Sequence, residues 1–320
     1  MPDHRGSGLT IALVSSASFA LSGMFASSLI DDGWSSGAIT TVRILGAAVV
    51  LFLPALRSLR GDWGVVSRAR WQLLGFGIFA VTLAQLGFFS AVRFIPPALA
   101  LLIEYLGPVL LVGWTTARTR KAPARLTLLG VVVALVGLVL VSGVIGSVHL
   151  NPLGIGLGLL AALGNAVYWA LGASQTHGLP PVALAGLGLG IGGILLAIVA
   201  AVGLLPVRMS AGAATLADRG WPAPAMIIAL ILIATVLPYV TGIVATRRLG
   251  ATVASFIGYG EPIFAIVWMA LLLAEVPTPM QFAGAAAIIA GVVLVRLGEL
   301  IRRDAGRAGS LARSRPWDTE

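Results

Sequence analysis

Residues Glu104-Tyr105-Leu106-Gly107-Pro108 interrupt an apolar run that extends from Ala98 to Ala117. The run is close to the roughly 20 residues that an α-helix needs to cross the hydrocarbon core of a bilayer. A similar group, Gly258-Tyr259-Gly260-Glu261-Pro262, follows 154 residues later. An acid beside a helix-breaking proline is unusual in such a run, and here it occurs twice. We therefore predict that the two stretches face one another across a substrate path.

The composition excludes an ordinary soluble domain. Only 10% of the 320 residues are charged and 58% are hydrophobic, whereas soluble domains carry about 25% charged residues. The absence of cysteine excludes disulfides, thiol catalysis and cysteine-based metal sites. His4, His149 and His177 lie in loops or near segment ends, so no metal and no cofactor are predicted. The net charge of +9 is spread over short loops and a tail, which argues against nucleic acid binding.

Ten apolar segments of membrane-spanning length follow one another along the chain. Within a bilayer each must be a helix, because an open strand would leave backbone groups unpaired. The first is interpreted as an uncleaved helix rather than a signal peptide, because Asp3 offsets Arg5. The predicted fold class is all-α integral membrane, with segments at 8–30, 37–56, 71–92, 98–117, 126–146, 154–175, 182–205, 223–245, 252–273 and 279–297.

The positions of Lys and Arg predict the orientation. With the N-terminus inside, Arg93, Arg208 and Arg219 are the basic residues of the outer loops, and Arg43 lies within the second helix. This bias follows the positive-inside rule, so both termini are predicted to be cytoplasmic, and residues 298–320 form a basic cytoplasmic tail. The remaining basic residues fall inside: Arg5, Arg57, Arg60, Arg68, Arg70, Arg118, Arg120, Lys121, Arg125, Arg247, Arg248, Arg296, Arg302, Arg303, Arg307, Arg313 and Arg315.

An internal repeat appears when residues 91–141 are aligned with residues 245–295 without a gap. Five helices separate the copies, an odd number, so the second half is inverted relative to the first, as in many secondary transporters. The predicted repeats are 1–146 and 154–297. Pro108 and Pro262 coincide and are predicted to kink their helices. The most informative identities are Arg93/Arg247, Tyr105/Tyr259, Pro108/Pro262, Trp114/Trp268, Pro123/Pro277, Gly130/Gly284 and Gly137/Gly291.

Polar side chains in the middle of the helices are the candidates for a substrate or proton path. Glu104 and Glu261 are acids at membrane depth, where a charge is costly and usually faces a cavity. Burial disfavours the charged form, so both are candidates for proton exchange, with a structural hydrogen bond as the alternative. Arg43 either extends outward or pairs with an acid or an anionic substrate group. The other candidates are Gln85 and Tyr239, Tyr105 and Tyr259 (two pairs at equivalent positions), and Asn165, Tyr168 and Trp169.

The pattern of ten helices in two halves, each with a proline-containing helix, a short proline loop and a glycine-rich closing helix, resembles the EamA-type branch of the drug/metabolite transporter superfamily. The stretch from Leu273 to Gly284 looks like a turn motif of that family, and Arg43 matches an arginine of its second helix. Two features depart from the pattern: Phe19-Ala20 replaces a Trp-Gly, and Lys121 aligns with Glu275. The resemblance implies transport of small metabolites, commonly amino acids, across the inner membrane.

The sequence thus predicts a secondary transporter that works by alternating access and exports its substrate, in either a proton-linked or a facilitative mode. A channel or scaffold without active transport is the alternative, followed by a membrane-embedded lipid enzyme. No Ser-His-Asp or zinc-ligand pattern is present in the sequence, so no enzyme activity is predicted. The predicted partners are a small-molecule substrate and the lipid bilayer, and a homodimer is left open.

Overall fold

Among the residues that the structure describes, ten helices are long and apolar enough to cross a membrane, and they match the ten predicted segments one to one, which confirms the predicted fold class. The computed structural model describes residues 4–120, 122–143, 151–217, 219–274 and 276–313. We number the membrane helices one to ten in chain order: His4–Asp31, Ser36–Leu59, Arg70–Ala91, Pro97–Thr119, Arg125–Ser142, Pro152–Ala173, Pro181–Ala201, Ala223–Leu249, Ala251–Leu273 and Pro279–Arg313.

Helix ten is longer than predicted. It continues to Arg313, so most of the tail predicted from residue 298 onward is helical. The physical reason is that the sequence after Leu297 contains good helix formers, and the next proline is Pro316. Residues 314–320 lie outside the described residues, as do Lys121, His149 and Glu275.

Helices three and eight each contain a π-helical segment at equivalent places in the two halves. In helix three the Thr82 hydroxyl donates to the Gly77 carbonyl at 2.9 Å, and in helix eight the Thr235 hydroxyl donates to the Leu230 carbonyl at 2.9 Å. Such π-segments widen a helix locally and are frequent near functional sites. The parts of helix three are Arg70–Gly75, Phe76–Leu83 and Ala84–Ala91, and those of helix eight are Ala223–Ile231, Leu232–Val236 and Leu237–Leu249.

Helices four and nine are interrupted near their middle. Helix four consists of Pro97–Glu104 and Gly107–Thr119, and helix nine consists of Ala251–Ile257 and Gly260–Leu273. Each second part has its proline in the first turn, where the missing N–H costs nothing. The proline cannot donate to the preceding turn, so the chain bends just before it.

Helices five and ten pack backbone against backbone through four glycines. A Cβ on Gly137 would lie 2.7 Å from the Gly284 carbonyl oxygen, and one on Gly284 would lie 2.8 Å from the Gly137 carbonyl oxygen. Gly130 and Gly291 face each other in the same way. The pairing runs in opposite directions along the two helices, so they are antiparallel, as an inverted repeat requires. Small residues permit this close approach in membranes.

A β-hairpin lies between helices seven and eight and was not predicted from the sequence. Its antiparallel strands are β1 (Ala213–Leu216) and β2 (Arg219–Pro222). The Ser28 hydroxyl at the end of helix one donates to the Thr215 carbonyl at 2.6 Å. In the first half, helices two and three are instead joined through a short helix, Gly64–Arg68. The hairpin is therefore an asymmetric addition to the repeat.

Candidate substrate site

A cavity of about 500 Å³ lies among helices one, two, three, four, six, eight and nine. Pro108 lines it as well, whereas Pro262 does not. The structure therefore brings together side chains that are distant in sequence, and the two halves both contribute. All ten residues predicted for the path are part of its wall: Arg43, Gln85, Glu104, Tyr105, Asn165, Tyr168, Trp169, Tyr239, Tyr259 and Glu261.

Arg43 points into the helix bundle rather than outward. Its guanidinium donates to the Ser22 hydroxyl at 3.1 Å and to the Gln85 side-chain carbonyl at 3.1 Å. These two neutral acceptors hold it against helices one and three. Because a guanidinium keeps its charge at any physiological pH, Arg43 is a permanent positive charge on the cavity wall.

Glu104 and Glu261 are both half-buried and line the cavity. Arg43 interacts electrostatically with both. No ion pair of 4 Å or less joins Arg43 to either cavity acid. The Tyr105 hydroxyl faces the Glu261 carboxylate. The two acids are therefore near one permanent positive charge, and their carboxylate oxygens can still accept hydrogen bonds from a further donor.

Aromatic rings form one side of the cavity. The ring of Tyr168 meets that of Trp169 at a centroid distance of 4.9 Å and that of Tyr239 at 5.6 Å, both edge to face. Phe19 meets Tyr239 at 5.4 Å. The Trp169 indole donates to the Asn165 side-chain oxygen at 2.8 Å, which fixes the ring. Such a wall accepts an apolar body and also attracts a cation to the ring faces.

Tyr105 and Tyr259, which occupy equivalent positions, are in direct contact. Their rings meet edge to face at 5.8 Å, and the Tyr259 hydroxyl donates to the Tyr105 carbonyl at 2.6 Å. This carbonyl lies in the interruption of helix four. The Tyr105 hydroxyl is used differently, because it faces Glu261. One phenol thus joins the two interrupted helices and its counterpart faces the cavity.

This asymmetry predicts unequal effects of removing the two hydroxyls. Tyr259→Phe should lower the stability of the fold by about 1–3 kcal/mol, because a buried carbonyl loses its donor. Tyr105→Phe should cost less than about 1 kcal/mol, because its hydroxyl faces the cavity. Thermal unfolding of the purified variants in detergent measures both. Equal losses would contradict the assignment of different roles to the two phenols.

Sequence reasoning missed the contribution of helix one. Ser15, Ser16, Phe19 and Ser22 line the cavity. The Ser15 hydroxyl donates to the Pro238 carbonyl at 2.9 Å, and the Ser16 hydroxyl contacts the Ile257 carbonyl at 3.2 Å. The recurrence of serine at helical spacing between residues 15 and 22 was a signal that could have indicated this face.

The cavity reaches much further toward one face of the bundle than toward the other. We call the face where helix one begins the N-terminal face, and the face where it ends the distal face. Toward the distal face the lining includes Ile30 and Pro97, which are exposed. Toward the N-terminal face it stops at Ala12, Ala245 and Ala254, all buried. The cavity is therefore open toward the distal face and closed toward the N-terminal face.

Residues near the open distal face are less buried than the residues at equivalent positions near the closed N-terminal face. Phe89 of helix three and Val92, which directly follows that helix, line the cavity and are half-buried. Their counterparts in helix eight, Ile243 and Thr246, are buried at 0% and 1% exposure. The two halves are thus related in sequence but hold different conformations around the cavity.

Two arginines at equivalent positions also differ. The Arg247 guanidinium, at the N-terminal face, donates to the Leu179 carbonyl at 2.7 Å and to the Gly172 carbonyl at 3.3 Å. It thereby joins the end of helix eight to the end of helix six. Arg93, its counterpart at the distal face, is exposed and has no side-chain hydrogen bond to any described residue. The closed face has this connection and the open face lacks it.

Comparison with known proteins agrees with this architecture. The model of the EamA-like transporter family matches the chain twice, over residues 6–143 and 152–297. A relative named "Uncharacterized inner membrane transporter YicL", from Salmonella typhimurium, is 24% identical over 302 residues, which is 91% of this chain and 95% of the relative. One solved crystal structure has a TM-score of 0.72 at 21% identity and covers 93% of this chain and 99% of that one, a likeness of fold.

Ten membrane-spanning helices in two inverted halves, with a largely apolar cavity between them that contains several polar side chains, define a multi-pass membrane transporter. Because the family model matches both halves and most of the chain, the protein belongs to the EamA-like transporter family.

Proposed function

We propose that the protein is a secondary transporter that moves small organic metabolites across the inner membrane by alternating access. The observation that carries the proposal is the difference in burial between Val92 and Thr246, which occupy equivalent positions in the two halves. If the halves exchange conformations, the cavity closes at the distal face and opens at the N-terminal face. Rocking of inverted repeats around a central site is the usual way that such folds achieve this.

The proposed orientation places both termini in the cytoplasm. The distribution of Lys and Arg supports it, and the name of the Salmonella relative supports an inner-membrane location. In this orientation the distal face is extracytoplasmic, so the described conformation is open to the outside. Export of a metabolite coupled to proton entry is the proposed mode, with Glu104 and Glu261 as the groups that exchange the proton. One chain contains both halves of the cavity, so the proposal needs no second copy.

Single cysteine variants test alternating access, because the native chain contains no cysteine that would have to be removed. Val92→Cys and Thr246→Cys are small changes at equivalent positions. A membrane-impermeant maleimide should label Val92→Cys from the extracytoplasmic side and should label Thr246→Cys slowly and from the cytoplasmic side. In a fixed channel, by contrast, a change that raises the labelling rate at one position would not lower the labelling rate at the other.

The contacts of Arg247 provide a way to shift the equilibrium without a substrate. Arg247→Ala removes two charged hydrogen bonds at the closed face, worth about 1.5–3 kcal/mol each before the solvation of the free carbonyls is subtracted. We expect roughly tenfold faster labelling of Thr246→Cys and slower labelling of Val92→Cys, since about 1.4 kcal/mol is a tenfold change.

Arg93→Ala is the matched control, because it removes an arginine from the equivalent position without removing a described hydrogen bond. It should change neither labelling rate. If Arg247→Ala raises both rates together, the variant has loosened the fold rather than changed the balance of two states. A metabolite export screen in cells that overproduce the protein then identifies the substrate.

A further inference from the structure

The charged side chains of the cavity wall do not balance. Among the described residues that line it, Arg43, Glu104 and Glu261 are the charged ones. With both acids ionised, the wall carries one negative charge in excess. An uncompensated charge at membrane depth is costly. A ligand or a proton with a single positive charge restores neutrality, whereas a zwitterion leaves the excess in place.

Arg43 is already occupied by the wall itself. Its guanidinium donates to Ser22 and to Gln85, both at 3.1 Å, and neither acceptor is charged. Neither acid lies within 4 Å of it. The guanidinium therefore balances one of the two carboxylates from a distance and leaves their oxygens free to accept hydrogen bonds from a ligand.

The remainder of the wall suits the body of an organic cation. Tyr168, Trp169, Tyr239 and Phe19 present ring faces and edges to the cavity. Aromatic faces attract ammonium groups and also pack against apolar bodies. A volume of about 500 Å³ lies within the range of small-molecule pockets.

We propose that the cavity binds a monovalent organic cation, an amine with an apolar or aromatic body, whose ammonium group lies between Glu104 and Glu261. The proposal rests on the transport function proposed above. Glu104 is the principal acceptor, because the Tyr105 hydroxyl already faces Glu261. The substrate and the proton would then occupy the same acids in turn.

Two series of compounds with a constant body test this proposal by calorimetry on the full chain in nanodiscs. The first contains phenethylamine, 2-phenylethanol and phenylalanine, and the second contains hexylamine and hexanol. We expect each amine to bind at least roughly tenfold more tightly than its alcohol, a preference of about 1.4 kcal/mol. Glu104→Gln should remove this preference.

The control variant is Asp62→Asn, which removes an exposed carboxylate outside the cavity and should not change binding. Tighter binding of phenylalanine than of phenethylamine would overturn the proposal, because Arg43 would then recognise the substrate carboxylate. Equal binding of amine and alcohol in both series, or no binding of either amine, would overturn it as well. The labelling rates of Val92→Cys and Thr246→Cys are measured on the same preparations, so the transport proposal is tested independently of the ligand proposal.

Discussion

Gly137→Leu should prevent the closing helices of the two halves from packing and should abolish recovery of folded protein. A Cβ at this position would lie 2.7 Å from the Gly284 carbonyl oxygen and 2.7 Å from the Ile288 backbone nitrogen. These are backbone atoms of helix ten, which cannot rotate away as a side chain can. Overpacking of a tight contact costs about 3 kcal/mol or more in such a case, a large part of the roughly 5–15 kcal/mol that stabilises a typical domain.

Gly113→Leu is the matched control for this substitution. Gly113 lies in the second part of helix four, is exposed, and has no atom within 4 Å of an added Cβ. Its counterpart in the second half is Val267, so a branched side chain already occupies the equivalent place. The fraction of monodisperse protein in size-exclusion chromatography measures both variants. Normal recovery and thermal stability of Gly137→Leu would show that helices five and ten do not touch through these glycines.

The parts of the fold that the sequence predicted are those set by local chemistry. Apolar runs of membrane-spanning length specify helices, because no other open structure satisfies its backbone in lipid. The ungapped offset between residues 91–141 and 245–295 predicts the inverted repeat, and Pro108 and Pro262 predict the bends. Glycines at equivalent positions, such as Gly130 and Gly284, predict a close contact but not the partner. The reciprocal pairing with Gly291 and Gly137 depends on how the halves meet.

The parts that the sequence did not predict depend on tertiary contacts. Strands β1 and β2 form in a stretch rich in alanine and glycine, and Ser28 and the buried side chain of Ala214 attach them to helix one. The direction of Arg43 depends on Ser22 and Gln85, which belong to two other helices. Neither contact leaves a pattern in the local sequence.

The asymmetry between the halves is also a property of the assembled chain. Tyr105 and Tyr259 are identical residues at equivalent positions, yet only the Tyr259 hydroxyl reaches the backbone of the other half. Arg93 and Arg247 differ in the same manner. An inverted repeat with identical halves would have no preferred open face. The differences that select one conformation arise where the halves contact each other, and a comparison of aligned residues shows only that they are equivalent.

The double variant Glu104→Gln, Glu261→Gln should have the largest effect on function, and its effect on stability should exceed that of Arg43→Gln. Removal of both acids leaves Arg43 as an unbalanced charge that cannot lose its proton. Removal of Arg43 leaves two acids that can each bind a proton and become neutral. We expect the double variant to be destabilised by about 1–3 kcal/mol, the cost of leaving a group inside the protein without its compensating partner, and Arg43→Gln by less.

The triple variant, in which Arg43→Gln is added to the two acid substitutions, separates charge balance from function. Its cavity wall is neutral, so its thermal stability should recover most of the loss. Its flux of the substrate carried by the unaltered protein should stay at least about 100-fold lower, since the groups that bind the ligand and the proton are absent. Flux is measured in proteoliposomes with and without a pH gradient. If the triple variant transports normally, the acids serve only to neutralise Arg43. If the double variant is as stable as the unaltered protein, the electrostatic interaction between Arg43 and the acids contributes nothing to folding, because the hydrogen bonds of the half-buried guanidinium to Ser22 and Gln85 are then sufficient.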